Sequence, residues 1–458
     1  MEQNYDLVVI GGGPGGYVAA ERAAQNGLHV LLAEQRELGG TCLNRGCIPT
    51  KVLLKAAHDY TGLGGLKEEG VLVPPASMDF GQLKKHKEGV IKRLRTGVQG
   101  LLKQSGVEVV QSRARFAGSD SVFLEGPQTT VKFQNALIAT GSAPALPPIP
   151  GLESEGVYTS DEMLAMEKYP QKMLVLGGGV IGVEFASILA GFGCEVQIAE
   201  MMETILPEMD GELSAALRKK MEKEGVVFST SAKLLSVKKE GGGLSCEMQR
   251  QGKTEAVACD GLLVASGRRA NTEGLDLAAA GIRTGKNGAV QTDERLRTEQ
   301  KNIYAIGDVR GEQMLAHAAS AQGACVADTL AGRDTRYDPR IVPGCVYTQP
   351  EAASVGLTED QAKAKGVKTL VGKSNVLANG KALIMGEKAG FAKLVADAAT
   401  GEILGAHLLC PRASDMIGEL CLALRLECTV RELAATVHPH PTVSEMICEA
   451  AADACRKM

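Results

Sequence analysis

The chain lacks any long apolar run: in its 458 residues no uninterrupted hydrophobic stretch reaches the ~18 residues of a membrane-spanning helix. A charge surplus is also missing. With a formal net charge of −4, nothing global points to nucleic acid or an anionic membrane, and neither is expected as a partner. The first strand is read from about residue 6, which leaves no room for a signal or transit peptide and points to the cytoplasm. A disulfide scaffold is absent too. Twelve cysteines scattered over such a length fit a reducing compartment in which one pair is reactive and the rest are packing residues.

What is present is ample core, with 44% hydrophobic residues, and length for about three domains at roughly 100–200 residues each. The organising stretch is Gly39-Gly40-Thr41-Cys42-Leu43-Asn44-Arg45-Gly46-Cys47-Ile48-Pro49-Thr50-Lys51. On a regular helix Cys42 and Cys47 would point about 140° apart. A disulfide needs Cα atoms within roughly 7 Å, and a bent turn at a helix start supplies that. Helix amides and a nearby lysine lower thiol pKa, which favours a reactive pair over two cysteines that merely pack close together. Upstream, Asp6–Ile10 reads as a buried strand, followed by Gly11-x-Gly13-x-x-Gly16, a helix from Tyr17 to Asn26, and a strand Val30–Ala33 ending in Glu34. This is a βαβ phosphate-binding pattern: the glycines admit a pyrophosphate, the helix N-terminus stabilises its charge, and the acid accepts hydrogen bonds from a ribose. A redox thiol pair beside such a site implies electron exchange with a bound cofactor.

The pattern returns after a stiff connector (Pro144, Pro147, Pro148, Pro150, Gly151) that marks a domain boundary. Met173–Leu176 leads to Gly177-x-Gly179-x-x-Gly182, a helix from Val183, and a strand Val196–Ala199 ending in Glu200. Gly27 and Gly193 match as well, and the interval from first glycine to final acid is the same in both copies, so two nucleotide-binding domains share one design. Glu200 suits the ribose hydroxyls of NAD and would repel the 2′-phosphate of NADP; Met201 and Met202 follow it, with no arginine to neutralise a phosphate.

Residues 55–110 read as largely helical. Within them Leu83, Val90, Ile91, Leu94, Val98, Leu101 and Leu102 recur at helical spacing. Lys84, Lys85, Lys87, Lys92, Arg93 and Arg95 between them form a basic face, either solvated or docked on an acidic partner. Val107 to Phe133 reads as short strands in a small sheet layered on the first domain. Leu137–Gly141 and Leu263–Arg269 are strands running into glycine turns, and Asn302–Asp308 repeats the theme with an acid at its end. Met314 to Ala327 is a helix of small residues suited to packing on a flat ligand. Beyond Pro339 the strands Cys345–Tyr347, Phe391–Val395 and Ile403–Leu409 mix with helices from about Ser414 and Val443, an α+β domain. Its tail holds His438-Pro439-His440-Pro441-Thr442-Val443-Ser444-Glu445. The prolines present His440 from a rigid loop, and Glu445 is placed to orient its ring.

Taken together, GGTCLNRGCIPTK, both fingerprints, ATG at 139–141, SGRRAN at 266–271, YAIGD at 304–308, LAHAAS at 315–320 and HPHPTVSE at 438–445 resemble the pyridine-nucleotide disulfide oxidoreductases, over the whole chain and in order. Within that family the likeness is to members that oxidise dihydrolipoamide. The resemblance implies an α/β fold: two Rossmann-like dinucleotide-binding domains plus a C-terminal α+β dimerisation domain. The boundaries would be an FAD-binding domain at 1–143, an NAD-binding domain at 144–266, a central domain completing the FAD site at 267–337, and an interface domain at 338–458. It implies FAD and NAD as cofactors, no metal, a homodimer, and a lipoyl-bearing protein of a multienzyme complex as partner, since no lipoyl domain precedes this chain. Residue by residue, Gly11, Gly13, Gly16 and Glu34 would bind the FAD ADP moiety. Ala114 would lie on the adenine, Asp308 would hold the ribitol, and the helix start at Ala316 would face the flavin pyrimidine. Gly141 and Gly267 sit in the two glycine turns of the cofactor sites. Gly177, Gly179, Gly182 and Glu200 would bind NAD. Lys51, paired with Glu184, would sit by the flavin. Cys42 would exchange with substrate, Cys47 would stack on the flavin, and His440, held by Glu445, would be the acid–base catalyst reaching in from the partner subunit. The chain departs from the family at Arg45, whose charge would favour a thiolate, and at Ala318 in place of a lysine. Glutathione-type relatives want arginines after the second fingerprint, and mercuric-type relatives a vicinal C-terminal cysteine pair; here stand Met201 and Met202, and the separated Cys448 and Cys455.

Overall fold

A computed structural model describes residues 4–458 as an α/β protein that divides into two compact units. Of the described residues, the first comprises 4–50, 81–145 and 267–339, and the second 51–80, 146–266 and 340–458.

In the first unit Asn4–Ile10, Val30–Glu34 and Glu108–Gln111 pair in parallel, with Leu7 opposite Val30 and Leu31 opposite Glu108. On the other side of Asn4–Ile10 runs the long strand Thr129–Ile138, which also carries Ile303–Ala305 in parallel. Alternate residues of these strands feed two different cores. Val8, Ile10, Leu31 and Ala33 pack on one face, and Leu7, Val9, Val30 and Leu32 on the other, so the strands read as continuous apolar runs. Ala114–Phe116 and Ser121–Leu124 extend the same sheet in antiparallel fashion through Thr129–Leu124 pairing. The strands of 107–133 therefore continue the main sheet instead of forming a separate layer. Ala114–Phe116 is the last strand on that side of the sheet.

Two helices sit on this sheet, Pro14–Gln25 and Ala316–Leu330. The second spends its small residues on the first: a Cβ at Gly323 would lie 2.4 Å from the Gly15 carbonyl oxygen, and one at Gly15 would lie 2.9 Å from that of Ala319. Close helix packing, more than space for a flat ligand, is what that composition serves. Asp328 seals the contact, accepting from Arg22 Nε at 2.7 Å and Nη2 at 2.6 Å. The helix Phe80–Gln104 carries the apolar spacing expected of it, but Lys87 is 5% exposed and so does not belong to a solvated basic face.

The second unit repeats the parallel order, Val227–Ser229, Glu195–Ala199, Lys172–Leu176, Gly261–Val264 and Val157–Tyr158, beside an antiparallel meander of three strands from Ala232 to Cys259. Its C-terminal part is a five-stranded antiparallel sheet in the order Gly344–Val346, Glu351–Gly356, Ile403–Cys410, Phe391–Asp397, Thr369–Asn375. The helices Ala413–Arg425 and Glu445–Cys455 bury Ile417, Leu420, Met446, Ile447 and Ala450 against it. Among the described residues no helix is long and apolar enough to cross a membrane.

Candidate active site

The two glycine fingerprints fold alike. Gly11 (φ 107°) and Gly177 (φ 113°) are left-handed, and a Cβ there would strike the carbonyl oxygens of Ala139 at 2.4 Å and Ala265 at 2.5 Å. The third glycines are closed by packing: a Cβ on Gly16 or Gly182 would sit 1.9 Å from the oxygen of Gly11 or Gly177. The middle glycines differ. Gly13 and Gly179 cap the helices Pro14–Gln25 and Val180–Gly191; a Cβ on Gly179 would meet nothing within 4 Å, and one on Gly13 only the Gly40 Cα at 3.9 Å. Open space before a helix N-terminus with unpaired amides is what a pyrophosphate requires, so the residues present fit a dinucleotide in both places. Both helices start three residues before the positions read from sequence (Tyr17 and Val183), at Pro14 and Val180, because the glycine loop feeds straight into the first turn, where Pro14 is also well suited. Gly27 and Gly193 (φ 91° and 87°) are the matching helix terminators.

The two acids play one further part that the pattern did not disclose. Glu34 accepts from the amides of Gly12 and Arg36, each at 2.7 Å, and Glu200 from those of Gly178 at 2.6 Å and Met202 at 2.7 Å. Each carboxylate thus fixes its own glycine loop.

Cys42 lies in a short helix, Gly40–Arg45, and Cys47 begins the next, Cys47–Gly62. Gly46 between them leaves helical geometry (φ −147°, ψ −108°), which brings the two Cα atoms to 4.6 Å and joins the sulfurs in a disulfide. Asn44 Nδ2 donates to the carbonyls of Gly40 at 2.9 Å and Leu38 at 3.0 Å, and Thr50 Oγ1 to that of Gly46 at 2.6 Å. Arg45 is ion-paired with Glu37. That ion pair offsets the charge that the sequence reading sets beside the thiols.

In the same unit Asp308 accepts from Ser142 Oγ at 2.5 Å, and Arg268 donates from Nε to that hydroxyl at 2.7 Å and from Nη2 to the Ser142 carbonyl at 2.9 Å. Gly141 (φ 69°) and Gly267 (φ 148°) turn the chain at the ends of this arrangement, and Asn271 cross-links to Thr140 in both directions. Ala114 is buried in its strand opposite Leu124, and Ala316 is the first residue of its helix. Ser142, Arg268 and Asn271 were not singled out from sequence. They stand within SGRRAN and next to ATG, and only the antiparallel pairing of Arg268–Ala270 with Ser142–Pro144 puts those motifs together.

In the second unit Lys51 Nζ contacts both carboxylate oxygens of Glu184, at 3.0 and 2.9 Å. Glu184 is 3% exposed, and a buried carboxylate is costly unless paired and hydrogen-bonded. Its third contact, the amide of Tyr347 at 3.1 Å, completes that requirement. Lys51 Nζ also lies 4.4 Å from the centroid of the Tyr347 ring. Burial pushes the Tyr347 phenol and the Cys345 thiol each up to about 12, so both stay neutral near pH 7. Close approach of Gly191 to Ala57, 2.8 Å for a Cβ, seats the Lys51 helix on the Glu184 helix.

His440 projects from its loop with 79% of its side chain exposed, and its Nδ1 is 2.9 Å from Glu445 Oε1. The second oxygen of Glu445 accepts from the Thr442 amide at 2.8 Å. That amide, and then His440, hold the Glu445 carboxyl below its ordinary range. An oriented imidazole with an ionised partner is a general acid–base pair.

The chain matches the model of the family "Pyridine nucleotide-disulphide oxidoreductase" over residues 5–323 and that of the same family's dimerisation domain over residues 342–451. It is 43% identical to a dihydrolipoyl dehydrogenase of Bacillus subtilis over 98% of both chains. Identity to a dihydrolipoyl dehydrogenase of Thermus scotoductus is also 43%, over 98% of this chain and 97% of that one. Among solved structures, an HOCl-induced flavoprotein disulfide reductase of Escherichia coli superposes with a TM-score of 0.88 at 31% identity, covering 98% of this chain and 99% of that one.

Proposed function

The chain belongs to the pyridine nucleotide-disulphide oxidoreductase family, and on that premise we propose how its residues oxidise dihydrolipoamide at the expense of NAD. It is an NAD-dependent flavoprotein disulfide oxidoreductase of the dihydrolipoyl dehydrogenase kind. The observation that carries the reading is the Cys42–Cys47 disulfide at a helix start, in the same unit as the first dinucleotide fingerprint.

His440, oriented by Glu445, takes a proton from one thiol of the substrate. The thiolate attacks Cys42 Sγ, breaking the Cys42–Cys47 bond and forming a mixed disulfide; Cys47 leaves as a thiolate. The second substrate thiol then displaces Cys42, so lipoamide leaves with its own disulfide and the enzyme holds the dithiol. When bound, FAD supplies the two-electron acceptor that links this dithiol to hydride transfer to NAD. Gly11, Gly13, Gly16, Glu34, Ala114, Gly141, Asp308, Ala316 and Gly267 are assigned to FAD. Gly177, Gly179, Gly182 and Glu200 are assigned to NAD, and Lys51, fixed by its ion pair with Glu184, would serve the flavin. We assign FAD binding to 1–143, NAD binding to 144–266, a central domain to 267–337 and the dimer interface to 338–458. The partner is a lipoyl-bearing protein of a multienzyme complex, met in a reducing cytoplasm that keeps the ten other cysteines as thiols.

Anaerobic thiol counting tests this. Denatured oxidised enzyme should show ten free thiols, and enzyme treated with stoichiometric dihydrolipoamide should show twelve, as the sequence holds. Addition of NAD should return the count to ten with formation of NADH. An unchanged count on treatment with dihydrolipoamide would refute the proposal.

A further inference from the structure

Two residues before His440 stands another histidine, and the two are placed in opposite ways. Val437 is 93% exposed and the His440 side chain 79%, whereas the His438 side chain is 5% exposed. Of the run from Ala435 to Pro441 it is the one residue not classed as exposed. Its ring is used at both nitrogens. Nδ1 lies 3.1 Å from the Thr436 carbonyl oxygen, and Nε2 lies 3.0 and 3.3 Å from the two carboxylate oxygens of Glu419. The ring is thus held between two acceptors, a backbone carbonyl and a carboxylate. Glu419 in turn is anchored. It sits in the helix Ala413–Arg425 between Ile417 and Leu420, both in the core of the C-terminal sheet.

The loop needs such an anchor. Pro439 and Pro441 remove two amide donors, so the segment presenting His440 has little backbone hydrogen bonding available to hold it. Downstream it is fixed by Thr442, whose hydroxyl donates to the Pro439 carbonyl at 2.7 Å and whose carbonyl accepts from Asn379 Nδ2 at 3.0 Å. Upstream, the His438 side chain is the tie that reaches the folded core.

We propose that His438 and Glu419 are positioning residues for the reaction: a buried histidine–carboxylate pair that pins the loop so that His440 stands on Glu445 at the angle its proton transfer requires. This rests on the acid–base role assigned to His440. A small misplacement of a catalytic group costs up to about a hundredfold in rate.

The test compares two activities of the FAD-loaded dimer: dihydrolipoamide oxidation by NAD, and reduction of a quinone by NADH, which uses the nucleotide sites but no thiol proton transfer. Glu419→Ala should lower kcat for dihydrolipoamide at least about tenfold, leave its KM within about twofold, and leave quinone reduction within about twofold. Glu419→Gln, whose amide oxygen still accepts from Nε2, should recover to within about threefold of wild type. His438→Gln carries the same expectation as Glu419→Ala and serves if that variant does not fold. Wild-type oxidation in Glu419→Ala, or an equal fall of both activities, overturns the proposal. His440→Ala, run in parallel, separates the two failures. If it loses oxidation while Glu419→Ala does not, only the positioning role is wrong; if it keeps oxidation, the assignment of His440 itself fails.

Discussion

A carboxylate offers about four acceptor positions, and Glu200 commits two of them to the amides of Gly178 and Met202. The remainder match a ribose diol. A 2′-phosphate would instead place like charge against it, with no arginine following at 201 or 202. We predict a preference for NAD over NADP of at least about a hundredfold in kcat/KM, some 2.7 kcal/mol. Glu200→Gln keeps one oxygen for a loop amide, replaces the other with an NH2 that cannot accept, and loses the charge, so it should raise NADP use relative to NAD while weakening NAD somewhat. Glu200→Arg should narrow the preference further but weaken both coenzymes, since the Gly178 amide loses its partner. Steady-state kinetics with the two coenzymes decide the matter; equal use by the wild type would contradict the assignment.

At the scale of elements, the helix Gly211–Lys223 is tied to the strand Phe391–Asp397 by an ion pair buried on both sides. Asp210 caps the helix, accepting from the amides of Glu212 and Leu213, and accepts from Lys393 Nζ at 2.9 Å; Glu212 and Glu359 stand 3.4 Å from the same nitrogen. Burial, the largest single influence, raises the Asp210 pKa, but the Lys393 hydrogen bond and charge, His407 and the Leu213 amide together outweigh it and the net shift is downward. Burial would lower that of Lys393, yet its carboxylate neighbours bring it above the ordinary lysine value. A depressed acid contributes stability above its unfolded pKa and loses it as pH falls; a raised base contributes below its unfolded pKa and loses it as pH rises. The clamp is therefore intact from about pH 5 to about pH 10. Lys393→Met should cost about 3–5 kcal/mol at pH 7, leaving a buried charge unpaired, and Asp210→Asn added to it should recover most of that. Urea denaturation at pH 7 and pH 4 checks both, and a wild-type midpoint for Lys393→Met would show the pair to be without weight.

None of this clamp was legible in the sequence, and the reason is general. Elements whose signal is local came through: the buried strands as apolar runs, the twin fingerprints by their spacing, and the Cys42–Cys47 turn by its glycines. What failed depended on long-range pairing. Ser142, Arg268 and Asp308 meet only because strands far apart in the chain become neighbours. The small residues of the helix Ala316–Leu330 face the helix Pro14–Gln25, a partner some 300 residues away that no periodicity names. Lys87 reads from sequence as part of a basic face, solvated or docked on an acidic partner, yet it is buried: helical spacing separates faces but does not say what else covers them.

For the molecule as a whole, we propose that the site is shared between two chains through a two-fold interface. Cys47→Ser and His440→Ala should each be inactive. Unfolded together and refolded with FAD, random pairing makes half the dimers mixed, and one of the two sites in each mixed dimer receives an intact cysteine pair and an intact histidine. About a quarter of wild-type activity should return. Activity staying at the sum of the two variants, with mixed dimers shown to be present, would mean that His440 serves its own chain.

The central claim is that electrons pass from dihydrolipoamide to NAD through Cys42 and Cys47, and the formation of NADH from dihydrolipoamide and NAD measures it most directly. The account predicts one NADH for each lipoamide formed by the wild type. Cys42→Ser and Cys47→Ser should each fall by at least about a thousandfold in kcat, a loss of some 4 kcal/mol in transition-state stabilisation. NADH formation by either serine variant at the wild-type rate would contradict it.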